Sequence, residues 1–161
     1  MYKKEDFDDE KYTKLQAAIA AIVEGDLNSL AAVRVASHIE LIDAAAKLPQ
    51  LFVSRLTLAK VLENWRRGLF APEDVQRWAS FVRRGYVSGR ESGAICPIEI
   101  GYDANDEALI VEIVGRLDEI GDQVDGHIDA REKEEMLRVL RGPKTHRSFE
   151  NEDLPKKVFE N

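Results

Sequence analysis

The stretch Trp65–Gly85, WRRGLFAPEDVQRWASFVRRG, joins two tryptophan-anchored helical patterns across a Gly-Leu-Phe-Ala-Pro turn. Upstream, Leu58, Val61, Leu62 and Trp65 share one side of a helix over 56–67, at the three- and four-residue spacing of a helical face. Gly68 suits the end of that helix because glycine tolerates positive φ. Pro72 fits the first turn of the next helix, over 72–84, where a missing N–H is no loss. Glu73 and Asp74 favour the positive end of its dipole. Val75, Trp78, Ala79 and Val82 make the second apolar face. These residues predict a helical corner with Trp65 and Trp78 stacked in the core.

Outward from this corner the same period recurs. Leu15, Ala18, Ile19, Ile22 and Val23 give a helix over 9–24, ended by Gly25 and followed by Asp26 or Asn28 as caps. The alanine-rich run 28–48 predicts one helix with a stripe of Ala31, Val35, Ile39, Ile42 and Ala46, stopped by Pro49. From Gly85 to Asn105 the period breaks. Only Ile98, Ile100 and Tyr102 alternate with Glu99 and Gly101, so this loop has room for one short strand or a minimal hairpin. Asn105 is placed to cap a fifth helix carrying Leu109, Ile110, Ile113, Val114, Leu117 and Ile120. Asp129 with Glu132 makes a capping-box start for a sixth, carrying Met136, Leu137 and Leu140. The expected fold is an all-α bundle of about six helices over 1–141, with an aperiodic tail over 142–161.

The chain has 161 residues, enough for one domain with its own core, and a formal net charge of −7. The single cysteine, Cys96, cannot form an internal disulfide, and the N-terminal MYKKEDFDDEKY has no apolar signal-peptide region. No apolar run reaches the roughly 18 residues of a membrane span. These features predict a cytoplasmic protein with no membrane partner.

Catalytic chemistry is sparse. His38 lies beside an apolar stripe and reads as a half-buried histidine with a backbone or water partner. His127 and His146 have no second ligand at useful spacing. Cys96 precedes Pro97 with no base, cation or helix start to lower its thiol pKa, so it reads as an inert thiol. In the segment 121–132, Asp125, Asp129 and Glu132 imitate calcium-loop positions five, nine and twelve. Gly121 and Gln123 occupy the first and third, where carboxylates are needed. Gly142-Pro-Lys-Thr145 imitates the end of a phosphate loop but lacks the upstream glycine. Glu112 and Asp118 have no evident partner to shift their pKa. The expectation is a non-enzymatic protein without metal or cofactor.

Charge is polarised. Residues 54–90 carry eight Lys/Arg against three acids, whereas 103–135 carry twelve acids against Arg116, Arg131 and Lys133. The acidic half offers a protein-binding face of Asp103, Asp106, Glu107, Asp118, Glu119, Asp122 and Asp125. The basic half offers a helix-turn-helix reading in which Gln76, Arg77, Ser80, Arg83 and Arg84 contact DNA. Pro72 in the turn and the acidic net charge weigh against it. A solvated acidic surface and a purely structural Trp corner are the plain alternatives to both.

Gly68, Phe70, Glu73 or Asp74, Trp78 and Ala79 form a G-x-hydrophobic-x-x-E-x-x-x-W-A pattern that resembles small all-helical bacterial proteins of the colicin D immunity family. Leu117-Asp-Glu-Ile120 is similar to a later helix of such proteins, and the resemblance covers about a third of the chain. It implies an all-helical fold and a partner that is another protein, a basic nuclease toxin domain neutralised through an acidic surface. It transfers no partner-contacting residue by position.

Overall fold

The computed structural model describes residues 2–87, 97–124 and 126–142. The corner is present in it. Helix α4 (Arg55–Arg66) and helix α5 (Pro72–Arg84) carry the expected faces, and Leu58, Val61, Leu62, Trp65, Val75, Trp78, Ala79 and Val82 are all buried. The indoles do not stack on each other. Trp78 donates its Nε1–H to the Ile22 carbonyl at 2.7 Å, while Trp65 lies under the Lys133 ammonium, 4.2 Å from the ring centroid. Each tryptophan therefore ties the corner to a different helix. One buried N–H gains an acceptor, and one ring face takes a cation.

Helix α1 (Tyr2–Val23) starts seven residues earlier than its periodicity indicates and buries all five of its expected core residues. Asp26 caps the following 3₁₀ turn, Leu27–Ser29, by accepting from the Asn28 N–H at 3.1 Å. The single helix expected over 28–48 is two: α2 (Leu30–Val35) and α3 (His38–Ala46). Extended backbone at Ala36 and Ser37 separates them, and a complete Ser37–Glu40 capping box starts α3. The break turns the chain out of phase with the expected stripe. Leu30, Val33, Ala36, Leu41 and Ala44 face the core, and Val35 and Ile39 are 84% and 71% exposed.

Strand β1 (Leu51–Val53) pairs in parallel with β2 (Ile100–Tyr102), Phe52 opposite Gly101. The alternating loop residues thus do form a strand, paired in parallel rather than as a hairpin. Its entry is set by Gly85, which ends α5 at φ +80° and accepts from the Ile98 N–H at 2.8 Å. A Cβ there would sit 2.2 Å from the Ile98 carbonyl oxygen, so the turn requires glycine on both steric and conformational grounds.

After β2, Asp103 rather than Asn105 supplies the cap, accepting from the Asn105 N–H at 3.3 Å at the start of the 3₁₀ turn Ala104–Asp106. Helices α6 (Glu107–Asp118) and α7 (Ala130–Arg141) follow. Asp129 accepts from the Glu132 N–H at 2.8 Å, but the Glu132 carboxylate binds Arg116 instead of closing the box. Helix α5 packs mainly on α6, α4 on α7, and α1 on α2 and α3. The described chain is a mainly helical fold of seven α-helices with a two-strand parallel sheet. None of its helices is long and apolar enough to cross a membrane. The tail over 143–161, His146 and Cys96 lie outside the described residues.

The α3 cap carries a pH dependence. The Ser37 N–H, then Lys11, holds the Glu40 carboxyl below its ordinary 4.5. A depressed folded pKa stabilises fully above the unfolded value and is lost as pH falls through the folded one. Glu40 should therefore stabilise at neutral pH and progressively less below about pH 4.5. Urea unfolding of wild type and Glu40→Gln at pH 7 and pH 3.5 checks this. The gap between the two proteins should narrow at the lower pH.

Candidate functional site

The residues expected on two separate surfaces meet in one cluster. Asp118, at the last turn of α6, has a side chain only 4% exposed. Gln76 of α5 donates to its Oδ1 at 2.9 Å and to its carbonyl at 3.2 Å. Arg83 donates to its Oδ2 at 2.8 Å, and Arg84 makes a short contact to the same oxygen. Arg84 also donates to the buried Ser80 hydroxyl at 3.1 Å. The carboxylate raises the Arg84 pKa further, and burial holds the neighbouring Tyr102 phenol above its ordinary value. One buried acid thus joins α5 to α6: three of the five proposed DNA contacts bind it, and a fourth, Ser80, holds Arg84. The fifth, Arg77, is exposed and pairs with Asp74 at 3.2 Å.

The helical faces explain this convergence. Gln76, Ser80, Arg83 and Arg84 lie at four-, three- and one-residue steps along the α5 side that packs on α6. Pairing across that seam satisfies Asp118 where solvent does not reach. Sequence spacing places Asp118 on the acidic run but does not show which helix crosses it.

Asp106 is the second expected surface acid that lies inside. Its residue is 7% exposed, and its Oδ1 sits 3.7 Å from the Arg55 guanidinium, an ion pair longer than a hydrogen bond. It ties the start of α6 to the start of α4. Asp103 is half-buried as the cap described above. Glu107, Glu119 and Asp122 are exposed, and Asp125 lies outside the described residues. Glu119 binds Arg116 at 3.0 Å, and Arg116 also takes Glu132 from α7 at 3.0 Å, which raises the Arg116 pKa. Among the described residues Glu107, Glu112 and Asp122 enter no ion pair. Glu112, absent from the expected surface, joins it because it occupies the outward face of α6 between Glu107 and Glu119.

His38 opens α3 and is half-buried. Its ring stands edge-on to Tyr86 at 6.4 Å between centroids, and its Nε2 is buried without a hydrogen-bond partner among the described residues. The expected polar partner is therefore not one of them. Among the described residues no group of three His, Cys, Asp or Glu is placed to hold a metal ion.

No protein-family model, no curated protein and no solved structure matches this chain.

Proposed function

We propose that this is a non-enzymatic protein that binds another protein through the outward face of α6, and specifically a bacterial immunity protein that neutralises a basic nuclease toxin domain. The observation that carries the reading is the division of the acidic residues. Asp106 and Asp118 are consumed within the fold, while Glu107, Glu112 and Asp122 are exposed and enter no ion pair among the described residues. Carboxylates that the fold does not use set up a local negative field, and a nuclease's substrate cleft is positive because the RNA phosphates it must bind are negative.

A DNA-binding regulator is the reading from a different class. Gln76, Arg83 and Arg84 all bind Asp118 of α6 and Ser80 accepts from Arg84, which leaves Arg77 as the one member of that set outside the cluster, paired with Asp74. Protein binding is therefore the better supported of the two.

The test is protection in a bacterium. The catalytic domain of a secreted toxin encoded beside this chain would be expressed with it. Wild type should restore growth. Glu107→Lys/Glu112→Lys/Asp122→Lys should fail to do so while keeping the wild-type circular dichroism spectrum. Full protection by the reversed variant contradicts the proposal.

A further inference from the structure

Gly115 sits in the middle of α6, where glycine costs helix stability relative to alanine. Nothing among the described residues accounts for it. Its φ is not positive, and a Cβ built there meets no atom of the other described residues within 4 Å, its own helix backbone aside. The room is on the outside of the helix. Ala108 and Val111 are exposed beside it, Val111 by 50%. Residues 108, 111 and 115 stand at i, i+3 and i+7, the spacing of a seam that receives a second helix. The core face of α6, made by Ile110, Ile113, Val114 and Leu117, is a separate stripe that is already buried.

The flanks of the seam are acidic. Glu107 and Glu112 border it with no ion-pair partner among the described residues, and Glu119 lies beyond Gly115. The groove continues between Arg83 on α5 and Met136 on α7. Arg83 is turned to Asp118, and Arg116 to Glu119 and Glu132. Among the described residues the unopposed charge beside the seam is therefore negative. Side chains next to a helical seam select opposite charge on the incoming helix, and a glycine on the seam lets the two backbones approach closely.

We propose that this seam seats one α-helix of the partner, apolar along its line of contact, carrying Lys or Arg on either side, and lying directly on Gly115. The inference rests on the protein-binding reading above and specifies the partner's contacting element.

The experiment has two parts. The first measures thermal melting of the free protein. Gly115→Ala should raise Tm by about 3 °C, because the helix gains propensity and nothing is displaced. A lower Tm would mean that the fold itself needs the glycine and would overturn the proposal. The second uses a displayed library of 20-residue helices, apolar at the seam positions and random elsewhere, selected against wild type. The expected winners are net cationic and bind Gly115→Gln and Glu112→Lys at least tenfold more weakly. Neutral or acidic winners, winners indifferent to Gly115→Gln, or no enrichment would each overturn it. A self-associated wild type that becomes monomeric as Gly115→Gln, seen by sedimentation, would assign the seam to a second copy and overturn it as well. Protection that needs Glu107 and Glu112 but survives Gly115→Gln would remove the seated helix and leave the acidic-surface reading standing. Loss of protection altogether, with convergent cationic helices, would do the reverse.

Discussion

Trp78→Ala should cost about 3–5 kcal/mol of unfolding free energy, the usual loss for deleting a large aromatic from a packed core. Trp78 is fully buried, so the deletion opens a cavity at the junction of α5 and α1. The same change removes the indole hydrogen bond to the Ile22 carbonyl, which keeps the Gly25 N–H as a donor at 2.9 Å, so the cavity is the main cost. Trp78→Phe fills most of the space but cannot donate to Ile22, so it should fall between wild type and Trp78→Ala. Urea unfolding followed by circular dichroism measures all three. A loss under about 1 kcal/mol for the alanine variant would mean that the corner is not anchored through this residue.

Asp118→Ala should cost about 2–3 kcal/mol. Removing one member of a buried ion pair typically costs about 3–5 kcal/mol, because the partner's charge is stranded. Here the arginines recover part of that in water, since Arg83 is 50% and Arg84 36% exposed. Two guanidiniums would then sit together with no anion between them, and Gln76 would lose the Oδ1 acceptor while keeping the carbonyl of residue 118. Arg83→Ala should cost less than about 1 kcal/mol, since Arg84 and Gln76 still serve the carboxylate. Equal small losses for both variants would show that the cluster is a surface pairing of no structural weight.

Five helical faces were legible in the sequence because their apolar residues recur on one side over several turns. The 28–48 region was not, for a physical reason. Alanines on several sides of the run fit more than one stripe, and the decisive signal was Ser37-x-x-Glu40, a capping box inside an apparently continuous helix. β1 is three residues long, and its partner lies nearly fifty residues away, a pairing that local patterning does not encode. For the candidate site, the sequence showed the opposite charge of two regions but not their contact. The pairing of Asp118 with Arg83 and Arg84 is set by how α5 crosses α6. Exposure of Glu119 was legible from its place opposite the apolar face of α6, whereas Glu107 lies at the edge of that face in the first turn. Gly115 carried a signal of its own, a glycine inside a regular apolar period, though its surroundings were needed to show that no other described residue fills the space beside it.

The central claim is that the acids left over by the fold steer a basic protein onto α6. Association kinetics with the basic nuclease domain that the proposed function requires test it most directly. They would be measured for wild type and Glu107→Lys/Glu112→Lys/Asp122→Lys at about 0.05 M and 0.5 M salt. Electrostatic steering acts on the association rate and is screened once the Debye length falls to a few ångströms. The account predicts an association rate at least about tenfold slower for the reversed variant at low salt, and a gap that closes at high salt. Equal rates at low salt, or capture of duplex DNA that is lost on replacing Arg77 and Arg83, would contradict it.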